Sequence, residues 1–385
     1  MRGVRKVWGG LVSLGLVACA PTAALRGGTE ARPAGVQRGA VAADVTARLE
    51  ALDAQAPGWL ARSGVPSLAV AYVRDGRVLF TRVYGEQSEG VPATPDTLYN
   101  VASLTKPLFA EAVLRLASAG ELSLDEPLSA HYVDPDLAGD PRAKELTLRL
   151  ALSHRLGFSN WRRETDGKLA FLFPPGTGYR YSGEGYEYAS QFVQAKLRAP
   201  LDALAARTVF APSGMARTAF DAQGRVDAAR LSQPKGPQGA YRAATFSPGG
   251  NAADDVYTTV GEYAAFVAGV MRGEGVSPAL AAERDALVSL DTGPSAACDP
   301  ARVRRCPTRM GYGLGWGVFE YPAGNALYHT GSDWGEKAMV VRLPASGEAA
   351  VLFTNGAQGF DVIIDALGVL LPGSDFADFA KSQKG

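Results

Sequence analysis

The hydrophobic pattern divides the chain into strand-like ends and a helical middle. Ala42–Ser63 reads as a helix. Ser67-Leu68-Ala69-Val70-Ala71-Tyr72-Val73, then Asp75-Gly76, then Val78-Leu79-Phe80-Thr81 predict a strand, a tight turn and a strand. Asp-Gly marks such a turn because both residues tolerate the positive φ that a two-residue hairpin loop requires. After Pro95-Asp96 a helical pattern opens at Ser103, runs to Ser118 and is ended by Gly120. Residues 121–250 are mixed, with many Pro and Gly and short helical patterns, and a further helix is expected over Val260–Arg272. Strand patterns return at Tyr312–Tyr321, Leu327–Thr330, Lys337–Leu343 and Ala349–Thr354, separated by Gly, Asn, Pro and Ser turns. A helix over Phe360–Leu371 closes the pattern, and no internal repeat interrupts it. Strands at both ends predict one antiparallel sheet built from both termini and flanked by helices. The middle then forms a helical subdomain, which makes the fold α/β (α+β) with a cleft between the parts. The expected folded domain is 42–372, with a tail over 373–385.

The first residues follow a different rule. Arg2, Arg5 and Lys6 precede a mostly apolar stretch from Val7 to Val17, which ends at Leu16-Val17-Ala18-Cys19. A basic start and a short apolar run make a secretory signal over residues 1–18. Leu, two small residues and Cys resemble the lipobox of bacterial lipoproteins. That resemblance implies cleavage before Cys19, lipid on its sulfur and new amino group, and a membrane held through the lipid. An ordinary signal cut at Ala18 or Ala20 is the alternative. Ala20 after Cys19 resembles the outer-membrane pattern, which places the domain on the periplasmic side of the envelope. Residues 19–41, rich in Ala, Gly, Pro, Thr and Arg, read as a flexible tether.

Charge changes the picture by exclusion. The chain has 39 basic and 39 acidic residues and no basic block, so no nucleic-acid partner is expected. Cys298 and Cys306 remain after Cys19. Export permits a local disulfide between them; two free thiols or a metal pair are the alternatives, and no nearby His or third Cys supports a metal. Neither a metal nor a cofactor is expected.

Ser103-Leu104-Thr105-Lys106 carries the candidate chemistry. Residues i and i+3 share a helix face, so the Lys106 amine can reach the Ser103 hydroxyl. A serine is a weak nucleophile until a base takes its proton, and a desolvated lysine can be that base. A helix N-terminus adds N–H groups where negative charge develops. A second match, Ser232-Gln233-Pro234-Lys235, runs into Gly236-Pro237, which cannot hold a helix, and reads as loop.

In its context the first match resembles the serine β-lactamase and penicillin-binding-protein superfamily, and within it the class C β-lactamase-like group. Asp96-Thr97-Leu98-Tyr99-Asn100-Val101-Ala102 precedes it, and Gly120-Glu121-Leu122-Ser123-Leu124-Asp125-Glu126-Pro127 follows the helix. Leu152-Ser153-His154-Arg155-Leu156-Gly157, then Tyr181-Ser182-Gly183, then Tyr312-Gly313-Leu314-Gly315-Trp316 and His329-Thr330-Gly331-Ser332 fall in the family's order. The resemblance implies a β-lactamase/transpeptidase-like fold and an acyl-enzyme on Ser103. It implies Lys106 as proton acceptor and Tyr181 as proton shuttle, its pKa lowered by the nearby cation. His329 is implied to position a substrate carboxylate or relay a proton. The N–H groups of Ser103 and Ser332 form the implied oxyanion hole, with Thr330 and Gly331 beside it and Gly331 admitting substrate close to the strand. Whether Lys106 or Tyr181 is the acylation base stays open. The implied substrate is a small ester or amide, including a D-amino-acid peptide or a β-lactam.

One position departs from the family. Its Tyr-x-Asn is Tyr181-Ser182-Gly183 here, which weighs against efficient β-lactam hydrolysis and leaves a non-hydrolysing receptor or scaffold as the alternative. Glu184 reads as a solvated loop carboxylate. No Gly-x-Ser-x-Gly occurs, and of three histidines, His131 reads as a surface turn and His154 as a structural hydrogen-bonding residue. Trp161, Trp316 and Trp334 can line a cleft or fill a core. Arg302, Arg304, Arg305 and Arg309 read as a solvated loop.

Overall fold

The computed structural model describes residues 34–385, apart from 221–225, 247–248, 255, 294–297, 302 and 385. The signal and Cys19 therefore lie outside the described residues. The chain divides at Asp44/Val45 into two units. The first contributes the opening of helix α1 (Ala34–Ser63), and the second holds every other described element.

The hairpin expected at Asp75-Gly76 joins β1 (Ser67–Arg74) to β2 (Arg77–Ser88), with positive φ at both turn residues. β3 (Val91–Pro92) extends the edge, and β4 (Tyr99–Asn100) leads into a 3₁₀ turn at Ala102–Leu104 and α2 (Thr105–Ser118). The middle holds α3 (Leu148–Leu152), α4 (Gly183–Leu197), α5 (Leu201–Ala205), β5 (Tyr257–Thr258), α6 (Val260–Met271) and α7 (Pro278–Asp285). The chain then returns to the sheet with β6 (Ser289–Leu290), β7 (Arg309–Tyr312), β8 (Gly317–Glu320), β9 (Ala326–Ser332), β10 (Lys337–Leu343) and β11 (Glu348–Thr354). Helices α8 (Gly359–Leu370) and α9 (Asp375–Ser382) come last.

The sheet order is β3-β2-β1-β11-β10-β9-β8-β7-β6, with every pair antiparallel. Both termini thus build one sheet. β1 is buried on both faces, and its alternate residues enter different cores, as a period of two dictates. Ala69, Ala71 and Val73 meet the core that holds residues of α2, α4 and α6. Leu68, Val70 and Tyr72 meet the core that holds residues of α1, α8 and α9. Burying one large apolar side chain contributes about 1.5–3 kcal/mol, so this double-sided burial fixes strand register firmly.

Two expectations differ from the structure. The pattern over Tyr312–Tyr321 is not one strand but the end of β7 and all of β8, with a reversal between. Gly313 N–H donates to the Trp316 carbonyl, and Gly315 has a φ of +90° with room for no Cβ, since one would lie 2.2 Å from Ala110 Cβ. The tail contains α9, because Phe376 and Phe379 lie three residues apart and enter the core against Phe319. Arg304, Arg305 and Arg309 are solvent-exposed, as expected, and also ion-paired: Arg304 binds Asp375 and Asp378, Arg305 lies 3.8 Å from Asp375, and Arg309 binds Glu320, while Arg302 lies outside the described residues. Cys298 and Cys306 are disulfide-bonded.

A buried ion pair locks α2 in place. Glu111 is fully buried and accepts from Arg284 at 3.1 and 3.3 Å; Arg284 also pairs with Asp285, and Asp285 with Arg342. Breaking a buried pair leaves a charge in a low-dielectric interior, whereas replacing both partners with apolar residues does not. Arg284→Met should destabilise the protein by about 3–5 kcal/mol in urea unfolding, and adding Glu111→Leu should recover most of that loss.

Candidate active site

The nucleophile candidate sits on a turn held from several sides. Asn100 Oδ1 accepts from Ala102 N–H at 2.7 Å, and Thr105 Oγ1 donates to the Ala102 carbonyl at 2.7 Å. Val256 N–H in turn donates to Thr105 Oγ1 at 3.1 Å, and Val101 N–H donates to the Val256 carbonyl at 3.0 Å. This clamp keeps Ala102 at a φ of +47°, where a Cβ is crowded, so the turn stores strain. From the sheet side, Gly331 on β9 packs so closely that a Cβ there would lie 2.0 Å from the Val101 carbonyl oxygen. The missing side chain makes room for the chain's own backbone.

Ser103 leaves this turn and Lys106 sits in the first turn of α2. Lys106 is fully buried, and its Nζ donates to Ser103 Oγ at 3.0 Å and to the Ala253 carbonyl at 2.8 Å. It also lies 4.7 Å from the Tyr181 ring centre and 5.8 Å from that of Tyr186. Burial pushes its pKa down to about 8, against the opposing pull of Asp254 and Glu187. About a tenth of a lysine so placed is the neutral base at pH 7, several hundred times the share of an ordinary lysine.

Tyr181 is close enough to Ser103 for the two hydroxyls to influence one another. Its pKa moves opposite to expectation. Burial raises it well above the ordinary phenol value, the Ser103 hydroxyl opposes this, and Asp254 adds to it. Tyr181 is therefore a phenol that can donate, and Lys106 is the group poised to accept a proton.

His154 and His329 flank Tyr181. His154 is fully buried, its ring 4.4 Å from those of both Tyr181 and Tyr312, and its Nδ1 accepts from Ser182 N–H at 3.1 Å. It spaces the aromatic rings and does not reach Ser103 through any described contact. His329 Nδ1 lies 2.8 Å from the Thr330 carbonyl; burial and the nearby Lys106 push its pKa down to about 3. Tyr181, Tyr312, His329 and Thr330 line a cavity of about 710 Å³. Ser332, at the end of β9, is exposed.

Sequence reasoning missed Glu187 and misread Glu184. Glu187 lies one turn beyond Glu184 on α4 and accepts from the Ala252 and Ala253 N–H groups at 2.5 and 3.3 Å. It thereby fixes the segment whose Ala253 carbonyl holds Lys106. Burial pushes its pKa up to about 7, with those two N–H groups and Lys106 opposing. Glu184 is not solvated: it is buried in the first turn of α4 and pairs with Arg162 at 2.8 Å. The six-membered ring of Trp161 lies over Gly183, so that a Cβ there would meet it at 2.7 Å. Trp316 is core, and Trp334 stacks beneath Arg242 at 3.7 Å. Lys235 sits in a loop, its N–H bonded to the Asn355 carbonyl. No group of three or more metal-ligating side chains occurs among the described residues.

A family model described as Beta-lactamase matches residues 41–372. Esterase EstB of Burkholderia gladioli is 30% identical over 210 residues, covering 46% of this chain and 52% of the esterase. A D-aminopeptidase of Gluconobacter oxydans is 28% identical over 195 residues, covering 47% of this chain and 37% of that protein. The matched segments thus span about half the length of the esterase and less of the aminopeptidase. Among solved structures, the D-alanine carboxypeptidase AmpC of Burkholderia cenocepacia is alike in fold, with a TM-score of 0.69 and 21% identity over 86% of this chain and 100% of that one.

The arrangement carries its own pH signature. The rate at which a fluorophosphonate modifies Ser103, read by intact mass, should rise with pH through about 8 as Lys106 becomes neutral. Glu187→Gln keeps the acceptor for Ala252 and Ala253 but removes a negative charge that holds the Lys106 proton on. The midpoint should therefore move to lower pH in that variant.

Proposed function

The chain belongs to the β-lactamase family, and on that basis we propose that it is a serine hydrolase of small esters or amides, D-amino-acid peptides among them. The observation that carries this reading is the Ser103 hydroxyl bonded to the buried Lys106 amine at 3.0 Å, with the Tyr181 ring 4.7 Å from that amine. Neutral Lys106 takes the Ser103 proton as Oγ attacks the substrate carbonyl carbon. The oxyanion is received by the N–H groups of Ser103 and Ser332; losing one such donor in acyl-transfer enzymes costs about 10²–10³ in rate. The tetrahedral adduct collapses, the carbon–oxygen or carbon–nitrogen bond breaks, and the leaving group takes a proton from Lys106 or through Tyr181. Water then attacks the acyl-enzyme and frees Ser103. The esterase and aminopeptidase relatives support both bond types as substrates. Cys19 in its lipobox setting supports an exported, lipid-anchored protein on the periplasmic side of the envelope.

Trp161 over Gly183 favours ester or peptide hydrolysis over β-lactam hydrolysis, because the ring closes the space a side chain at 183 would use. The same feature gives the receptor reading its support. Full-length protein and Ser103→Ala should be compared on a chromogenic ester and a chromogenic cephalosporin, with intact mass recorded throughout. Ester turnover by the first, reduced at least about 10³-fold in the second, is expected. A lasting Ser103 adduct without turnover would instead identify a receptor, and equal rates in both proteins would remove Ser103 from the chemistry. In cells given labelled palmitate, the wild-type chain should take up label and Cys19→Ala should not; unlabelled wild type would dismiss the anchor.

A further inference from the structure

The oxyanion-binding role given to Ser332 depends on where the end of β9 points. Gly331 is seated against the Val101 carbonyl, and Ser332 pairs with Lys337 as the last rung between β9 and β10. Beyond that rung lies a tip, residues 333–336. Trp334 N–H donates to Asp333 Oδ1 at 2.7 Å, Asp333 N–H to the Glu336 carbonyl at 3.0 Å and Gly335 N–H to Glu336 Oε2 at 3.2 Å. Lys337 Nζ donates to the Asp333 carbonyl. Each of these bonds lies within 333–337. They fix the shape of the tip and leave its direction to packing.

That packing centres on Trp334, which two residues of one loop hold. A Cβ on Gly236 would lie 2.0 Å from the Trp334 ring, so the ring rests on bare backbone there. The Arg242 guanidinium lies 3.7 Å from the ring centre. Both residues belong to the loop 234–242. It is closed by Gly236 N–H on the Ala240 carbonyl and Arg242 N–H on the Pro234 carbonyl, each at 3.0 Å. Asn355, fully buried, roots this loop in the fold. Its carbonyl accepts from Lys235 N–H at 2.9 Å, and its Nδ2 donates to the Gln233 carbonyl at 3.2 Å. Gly335 packs on the same root, where a Cβ would lie 2.8 Å from Pro234. The second Ser-x-x-Lys match, no nucleophile, is thus part of a seat for the tip of β9 and β10.

Resting on the serine-hydrolase reading above, we propose that Trp334 is a positioning residue: through it, loop 234–242 holds the end of β9 so that Ser332 N–H meets the developing oxyanion. Trp334 acts through Ser332 and not on the substrate. A preorganised donor stabilises charge only where that charge appears, and a misplacement of about 1 Å can cost about 10²-fold in rate. Lys106 stands apart from this device. Its contacts are Ser103, Ala253, Tyr181 and Tyr186, and the carboxylates that act on it are Asp254 and Glu187. None of these belongs to the tip or to the loop. Loosening Trp334 therefore weakens oxyanion stabilisation and leaves proton acceptance as it was.

The test uses the full-length protein in detergent with para-nitrophenyl acetate and its thiono analogue, in which sulfur replaces the carbonyl oxygen. Sulfur is larger and accepts hydrogen bonds weakly, so the thiono ester draws less on the N–H donors. Trp334→Ala removes the ring. Gly236→Ala, at a position without positive φ, pushes a methyl group into it. Each should lower kcat/KM for the oxygen ester at least about tenfold, and for the thiono ester less than about threefold. Trp334→Phe should recover most of the loss. The pH midpoint of Ser103 modification should stay at about 8 in all three variants. Should Trp334→Ala and Gly236→Ala fail to fold, Arg242→Met, at an exposed side chain, decides: the oxygen-to-thiono ratio should fall at least about twofold. Parallel losses on both esters, no loss on either, or a moved midpoint overturns the proposal while the hydrolase reading stands. No turnover and no Ser103 adduct in the wild type would sink that reading together with it.

Discussion

The site depends on taking the Lys106 amine out of water. A lysine in solvent is a cation and no base; fully buried, with its charge penalised, it becomes one. That burial needs compensation, or the amine would leave or the fold would open. The compensation is local: the Ser103 hydroxyl, the Ala253 carbonyl and the faces of Tyr181 and Tyr186. Asp254 and Glu187 then set how far the pKa falls. Too little negative charge would leave a weak base, and too much would keep the proton on. The nucleophile, the phenol and the carboxylates are positioned by the same requirement.

The fold meets that requirement by fixing α2 at its start and at its middle. Its start is clamped through Asn100, Thr105 and Val256 and pressed against Gly331 of β9. Two turns further on, Glu111 is tied to Arg284 in the interior. Between them Tyr263 donates to the Leu104 carbonyl at 2.9 Å. A strained residue such as Ala102 persists because everything around it is over-determined. The strained turn sets Ser103 Oγ within 3.0 Å of Lys106 Nζ.

What the sequence made legible tracks the range of the interaction. Asp75-Gly76, the apolar runs of β10 and β11, and the i, i+3 pair Ser103 and Lys106 are local signals, and each has its counterpart in the structure. The break at Gly313–Trp316 was locally visible as two glycines, yet only contact with Ala110 and Leu152 turns it into a reversal. Glu184 and Glu187 could not be told apart by composition. One faces Arg162 and the other the backbone at Ala252, partners 22 and 65 residues away. Tyr181 shows the same limit: proximity to a cation suggested a lowered pKa, but desolvation by the surrounding rings outweighs it. Gly331 looked like a door for substrate and is a seat for the Val101 carbonyl.

The place of β1 between β2 and β11 also has a consequence in time. Leu68 pairs with Thr354, so the middle of the sheet waits for nearly the whole chain to be synthesised. Until β9 to β11 arrive, β1 is paired along one edge alone, to β2, and the Ser103 turn lacks Gly331 to press against. Such long-range pairing slows folding and leaves a raw strand edge in the meantime. A nascent or C-terminally shortened chain therefore carries the whole Ser103-to-Lys106 sequence but no working site. The chemistry switches on only when the last strand is in place.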